Sequence, residues 1–542
     1  MIFSLQFVLI FAGYGAVSSL SGNYMERYAG ADDIQLGLYF MIPHFLHIAR
    51  PFIGSQADRN GSHKRIYTWC AIIAGLSYLP YIILPFLLRN SYMADLLSKK
   101  ACFWTLVCFH VTGSIALNGC RTLADALAKN HARRVNVEYV SLRKFAPVGL
   151  GLCAYLVGFI NEEWILPDYV PSMISFSVCM LLLAILIHYW PDEYFHMISS
   201  DEEDIELPST TEALRMFAGK LFKPLKRRSS YVKQLESMTF EKKYGLKDPD
   251  TNSDKSASLY KVTIIKTTNK QIDATSKMKH TKPLSFRQQI SILLLVLRRD
   301  FRISLAFLVL LFCGWICRSA QNFVFVQLED ICKTKKICHP GKLSGDVLAG
   351  ISLLEFLTYV GLNFCKGIKL NRLALLELAI LIVAVHYYFY GFLIENLSAR
   401  WFLVESLHGF EFAIFITTSL TWGYSFANEV EYIIPELKER NVISDKDDIG
   451  LVRVSLVATM MSCMTLLFEG FGSTIGSLIY GVVIEKYSYG LAWNINATIA
   501  LLEFMIIFIC LVSNKFFKFE PKMKKLKEEY QFRKKTKQQT VS

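Results

Sequence analysis

The chain has 542 residues, 53% of them hydrophobic and 19% charged, with a formal net charge of +13. The apolar residues recur in runs of about 18–25, the length that crosses ~30 Å of hydrocarbon, so a soluble fold is set aside. The positive excess lies in the central loop, the C-terminal tail and the short loops on one side. Membrane topology accounts for it, and nucleic-acid binding is excluded as its cause.

Twelve spans are predicted in chain order: 2–21, 34–56, 66–88, 101–127, 140–160, 169–190, 301–327, 346–365, 373–394, 400–427, 455–484 and 490–513. The first has no basic stretch ahead of it, and reading it as a retained helix rather than a cleaved leader keeps the parity of the bundle. Six spans lie on each side of a long polar insert. The expected fold class is all-α: a polytopic membrane protein of about twelve transmembrane helices in two six-helix bundles. The bundles are residues 1–190 and 301–514. Between them lies a cytoplasmic, largely disordered loop, 191–300, and after them a basic cytoplasmic tail, 515–542.

Basic residues set the orientation. Arg59, Lys64 and Arg65, then Lys129, Arg133 and Arg134, then Lys366, Lys369 and Arg372, then Lys438 and Arg440 all fall in loops on one side. With that side cytoplasmic, both termini are cytoplasmic, and Lys333, Lys335 and Lys336 are the outer exception. The insert opens acidic at Asp201–Glu206 and turns basic through Lys220, Lys223, Lys226, Arg227 and Arg228, where Ser229 and Ser230 form a weak kinase motif. The tail is drawn to anionic lipid. Asn396–Ser398 is a glycosylation sequon in a very short outer loop.

Of thirteen cysteines, Cys70, Cys102, Cys108, Cys153, Cys179, Cys463 and Cys510 lie in apolar runs and read as small apolar residues. Cys332 and Cys338 share a polar outer loop and could form a local disulfide. Metal-ligand spacing, a nucleophile–base set and a cofactor motif are all missing from the sequence. The expectation is therefore no enzyme, no metal and no cofactor.

Ionisable residues within spans cost about 2.5–3.5 kcal/mol each to insert, so each needs a reason. Arg121 and Asp125 are one turn apart on the fourth span and can pair, and Arg143 opens the fifth. The alternative for these three is interfacial charge near the helix ends. Glu355 stands mid-run on the eighth span with no base within one turn, which makes it a proton-carrier candidate against a hydrogen-bonded structural carboxyl. Glu405, His408 and Glu411 share a face of the tenth span, a set suited to proton relay. Arg318 on the seventh is a candidate counter-charge. Glu469 precedes a small-residue stripe, Gly470, Gly472 and Gly476, that reads as helix packing. His44, His47 and Arg50 approach the centre or pack near it.

The loop after the second span has Gly54, Asp58-Arg59, Gly61, Lys64 and Arg65, a spacing that resembles the signature loop of the major facilitator superfamily. Further stretches resemble its associated-domain branch, related to the oligosaccharide/nucleoside–proton symporters. They are Gly13–Ala16, Gly37-Leu38, Leu123–Ala126, Tyr139 with Arg143, Gly149 with Gly151, Asn322–Asp330, Glu405 with His408 and Gly409, and Pro435–Leu437. The resemblance implies alternating access between two halves. Gly54, Asp58, Arg59, Gly61, Lys64 and Arg65 would form a cytoplasmic gate. Asp125, Arg143, Glu355, Glu405, His408, Glu411, Arg121 and Arg318 would form a solute or proton pathway. Departures are Ser62 in place of a base, Ser19 and Ser21 where the branch often has proline, and a second-half loop, 366–372, with no acid.

The resulting expectation is a proton-coupled symporter of a small polar solute, sugar- or nucleoside-like, monomeric in the bilayer of the plasma membrane or an intracellular membrane. Alternatives are an uncoupled uniporter and a non-transporting receptor or scaffold that binds partners through residues 191–300.

Overall fold

A computed structural model describes residues 2–89, 98–135, 137, 139–163, 169–195, 287–288, 291–292, 294–295, 301–335, 340–364, 372–393, 399–429, 460 and 463–517. The nearly complete insert, the loops 365–371 and 430–450 and the tail from 518 lie outside the described residues. So do the side chains of Asp58, Arg59 and Arg318.

Among the described residues the longer helices form twelve successive runs. The first is α1 (Ile2–Ser18) with α2 (Ser21–Tyr24) and a π turn (Met25–Ala29), bent by 44°. The second is α3 (Asp33–Phe45), a 3-10 turn (Leu46–Ile48) and α4 (Ala49–Asn60). Then follow α5 (His63–Leu76) with α6 (Leu79–Leu88), α7 (Lys99–Arg134), α8 (Tyr139–Arg143) with α9 (Phe145–Glu163), and α10 (Val170–Tyr189). The second half runs through α11 (Phe301–Cys313), a π turn (Gly314–Ser319) and α12 (Ala320–Lys335), then α13 (Pro340–Phe364), α14 (Arg372–Leu393) and α15 (Ala399–Glu429). A further π turn (Leu466–Gly472) leads into α16 (Ser473–Lys486), and α17 (Tyr489–Phe517) ends the series.

Among the described residues, eight helical stretches are long and apolar enough to cross a membrane, nine with the bent first run. The three remaining runs are 33–60, 372–393 and 399–429; Leu375–Tyr390 within the second is a shorter apolar helix. They contain buried polar residues, Arg50, His386, and Glu405, His408 and Glu411, which need a reason to lie in the membrane. Outward faces are apolar, as at Trp69, Ile83, Leu152, Leu353, Tyr388 and Leu502. The spans thus form an all-α polytopic membrane protein of the twelve-helix, two-bundle kind.

Local sequence explains the breaks. Pro43 inside α3 removes a backbone donor, and the 3-10 turn follows directly. Asp32 caps α3, its Oδ1 accepting from Gln35 N at 2.7 Å. Gly61 ends α4 at φ 58°, where a Cβ would be strained.

Within the first half α1 packs on α9 and α10, and α5 on α7 and α10. Within the second half α14 packs on α15 and α17, and α13 on α15. The two halves meet along α9–α13 and α3–α16.

Candidate functional site

Between the halves lies a cavity of about 70 Å³. Its walls include Tyr14 from the first run, Phe40, His44 and His47 from the second, Tyr78 from the third, His110, Asn118 and Arg121 from α7, Asn322 from α12 and Glu469 from the π turn before α16. Arg50 stands behind this wall. Its Nη2 lies 2.5 Å from Glu469 Oε2 and also donates to Asn118 Oδ1. Arg121 Nη1 is 3.8 Å from the same Glu469 oxygen, and its guanidinium sits over the rings of Tyr14 at 4.1 Å and Phe11 at 5.0 Å. His110 stacks on Tyr39 at 4.3 Å and shares a 3.0 Å hydrogen bond with the Tyr78 hydroxyl.

The expected pairing of Arg121 with Asp125 is corrected here. Asp125 is taken by Arg143 and accepts from the Tyr139 hydroxyl at 2.5 Å. Arg143 also donates to Tyr139 Oη at 3.1 Å and lies over Phe7 and Phe11. Helix spacing put Arg121 and Asp125 within reach, but the packing of α8 against α7 supplies a stronger partner. Glu355 of α13 is buried, and Tyr359 lies beside both Glu355 and Arg143 of the other half.

On the far side of α13 is a second buried set. His386 of α14 has Nδ1 3.2 Å from Glu411 Oε1 and Nε2 3.3 Å from Glu405 Oε2. His408 Nδ1 is 3.4 Å from Glu411 Oε2. An ionised carboxylate only accepts, so both His386 nitrogens can be satisfied only by an imidazolium, or by a neutral ring with one carboxyl protonated. Either way the set holds one proton beyond a neutral ring and two carboxylates. One ligand atom each from His386, His408 and Glu411 lie within 4.8 Å of one another, close enough for a cation. The use of both His386 nitrogens by different carboxylates fits a proton better. Sequence reasoning missed His386: the only other ionisable group in the run 375–390 apart from its tyrosines is Glu377, nine positions before it, and its partners are 19 and 25 positions away. Arg50 and Glu469 were seen separately, but 419 positions hide their pairing.

One end of the seam is closed by another polar group. Lys333 Nζ of α12 lies 2.9 Å from Glu26 Oε1 and 3.1 Å from Glu329 Oε1, which also accepts from the Tyr169 hydroxyl at 3.1 Å. Tyr169 has φ 66°, an uncommon conformation for a bulky side chain, at the entry to α10. The Tyr489 hydroxyl donates to Asp330 Oδ2 at 3.2 Å. At the first residue of α3, burial pushes Asp33 up to about 6, with Asp330, Glu485, Glu26 and Asp32 adding to the effect.

At the opposite end, Lys64 is held by its own half. Its Nζ lies 2.5 Å from Asp192 Oδ1 and donates to the Trp190 carbonyl at 2.7 Å. Arg65 is exposed beside it, Gly54 is buried, and Gly61 makes the turn. Asp58, Arg59 and Arg318 have side chains outside the described residues, as do loop 366–372 apart from the backbone of Arg372, and Pro435–Leu437. Cys332 is disulfide-bonded, and Cys338 lies outside the described residues.

Solved structures share this architecture. The nucleoside transporter NupG superposes with a TM-score of 0.53 at 12% identity, over 94% of this chain and 98% of that one. The xylose transporter XylE from E. coli, in a partially occluded inward-open conformation, gives 0.52 at 12% identity, over 96% and 98%. At such identities the likeness is one of fold. No curated protein sequence matches the chain. The model of the MFS_1 like family matches residues 1–430, and with that match and the major facilitator architecture the chain belongs to this family of membrane transporters.

Proposed function

We propose that the protein is a secondary active transporter that couples proton movement to the uptake of a polar organic solute by alternating access. The observation that carries this reading is the cavity on the seam, where Arg50 and Arg121 of one half converge on Glu469 of the other. A solute bound there touches both halves, and an ion pair that spans them must rearrange when they part. NupG and XylE carry a nucleoside and a sugar by name, which supports a small polar organic solute for this chain.

Proton coupling rests on His386, Glu405, His408 and Glu411, with Glu355 beside Tyr359 as a second carrier. Inward proton movement is driven by the pH gradient and by voltage, the latter worth ~2.3 kcal/mol per charge per 100 mV. The basic loops support cytoplasmic termini, so the Lys333–Glu26 end faces outward and is closed in this conformation. Gly54, Asp58, Arg59, Gly61, Lys64 and Arg65 form the cytoplasmic gate loop, with Lys64 anchoring the segment after α10. A monomer in the plasma membrane fits this arrangement.

Uptake of labelled solutes into proteoliposomes, with and without an imposed pH gradient, tests the reading. Accumulation that collapses with the gradient supports it. Flux without pH dependence makes the protein a uniporter, and no flux of any solute would favour a receptor on the same fold.

A further inference from the structure

Resting only on the membrane orientation proposed above, we infer that the furrow between α5 and α10 holds one anionic phospholipid of the inner leaflet, its phosphate at Arg65 and an acyl chain running past Trp69 and Ile72.

An open cavity of about 690 Å³ stands at the cytoplasmic end of this furrow, with Lys64, Arg65, Trp69, Ile72, His188 and Asp192 in its walls. Lys64 and Arg65 come from the first turn of α5, just after the chain reverses at Gly61. Lys64 Nζ lies 2.5 Å from Asp192 Oδ1 and donates to the Trp190 carbonyl at 2.7 Å, so this pair braces the wall. Among the described lining residues Asp192 is the one carboxylate, and Lys64 holds it. Arg65 is exposed at the mouth. A guanidinium presents five donors in a fixed fork that matches phosphate oxygens, and the neighbouring His188 is neutral or cationic, never anionic.

Deeper in the bilayer the walls turn apolar. Arg65, Trp69, Ile72 and Leu76 follow one face of α5 at helical spacing, and Trp69 and Leu76 are exposed. His188, Ile185, Leu181 and Val178 follow one face of α10 in the same way, and the three apolar members are exposed. The two helices pack together, with Leu181 reaching 3.3 Å from the Cβ position of Gly75, so the stripes flank one furrow. At 1.5 Å per residue each stripe is about 15 Å long, half of the ~30 Å of hydrocarbon and thus the depth of one leaflet. The Trp69 indole stands at the interfacial level, where such rings are favoured. An amphiphile with an anionic head and a chain one leaflet long matches both ends of the furrow. A zwitterionic lipid would bring its own cation to Arg65, and the cytoplasmic leaflet is where anionic lipid is concentrated.

The test uses the full-length chain in phosphatidylcholine bilayers doped with a small fraction of lipid whose acyl chains are brominated, either phosphatidylserine or phosphatidylcholine. Bromine quenches indole fluorescence on contact, and the difference between wild type and Trp69→Phe isolates the Trp69 signal. The expected result is a preference of at least about fivefold for the serine lipid at Trp69, weakened by added salt and brought near parity by Arg65→Gln. Equal quenching by the two lipids in the wild-type chain overturns the inference, and so does a preference that Arg65→Gln leaves intact. Displacement of the brominated lipid by free glycerol 3-phosphate overturns it in favour of a soluble phosphate. A preference that emerges only when Asp201, Glu202, Glu203 and Asp204 are neutralised overturns it in favour of that stretch of the insert. Solute flux does not enter the measurement. A failed transport assay therefore leaves the lipid site standing, and equal quenching leaves the transport reading standing.

Discussion

Arg50 and Glu469 lie 419 positions apart in the chain and 2.5 Å apart in space, and they belong to opposite halves of the transporter. Removing one partner leaves the other charge buried. Breaking such pairs costs about 3–5 kcal/mol in general, and here Arg121, 3.8 Å from Glu469, softens the loss. Arg50→Met is therefore expected to lower the melting temperature clearly. Arg50→Met with Glu469→Met should recover part of that loss, since two apolar side chains replace the pair while Arg121 loses a carboxylate 3.8 Å away, yet transport should stay abolished. A thermal double-mutant cycle measured beside uptake checks both halves of this expectation. Additive melting-temperature losses would mean that the pair does not couple.

His386 holds two carboxylates together, so its loss should be felt in proton coupling before folding. In His386→Gln the amide has one donor end and one acceptor end, and it can satisfy Glu411 or Glu405 but not both. Pair repulsion then favours a protonated carboxyl. The expected outcome is loss of pH-driven accumulation with solute exchange across equal concentrations retained. Counterflow and gradient-driven uptake, measured on the same proteoliposomes, separate the two. Unchanged accumulation would remove His386 from the coupling machinery.

The membrane spans were legible because a bilayer fixes their length: the runs at 66–88, 140–160 and 169–190 emerge in the fold nearly where hydropathy set them. The site was legible only in part. Arg121, Asp125 and Arg143 were marked by the cost of charge in hydrocarbon, but their partners were misassigned, because i,i+4 spacing reports reach along one helix and not competition from a second. His386 carries no such mark, since a single imidazole in an apolar run resembles a packing residue. Glu469 was read with its glycines as a contact stripe. Gly472 does bring the two π turns of the second half together, whereas Gly470 lies against His44 and His47 of the first half and the carboxylate pairs with Arg50 there. Breaks such as the turn after Pro43 shorten an apolar helix without shortening the span.

The acidic end of the seam should respond to pH. Burial pushes Asp33 up to about 6, with Asp330, Glu485, Glu26 and Asp32 adding to the effect, and Lys333 pairs with Glu26 of this group. A folded-state value above the unfolded one means that the folded chain holds this proton more tightly. The resulting stability is complete below the ordinary aspartate range and is lost as pH rises through about 6. The protein should therefore melt higher at pH 5 than at pH 7.5, and Asp33→Asn should shrink that difference mainly by raising the value at pH 7.5. Melting curves of both chains across this window decide it. A wild-type protein more stable at pH 7.5, with an unchanged profile in the variant, would exclude the effect.

Gly409 sets how closely α15 approaches α13, and so where His408 and Glu411 stand relative to Glu355. A Cβ there would collide with the Ile351 carbonyl oxygen and lie 2.7 Å from Glu355 N, both backbone atoms that cannot swing aside. Gly409→Ala must therefore part the two helices, and a loss of about 1–3 kcal/mol is the usual cost of such overpacking. Gly361, on the same α13, has nothing within 4 Å of its Cβ position. Gly361→Ala removes backbone freedom from the unfolded chain at no steric cost, and is expected to stabilise by about 0.5–1 kcal/mol. The two substitutions are chemically identical and should move the melting temperature in opposite directions. If pH-driven uptake also falls in Gly409→Ala while Gly361→Ala transports normally, the helix spacing itself tunes the carboxylates. Parallel shifts of both variants would mean that helix propensity, not contact, governs these sites.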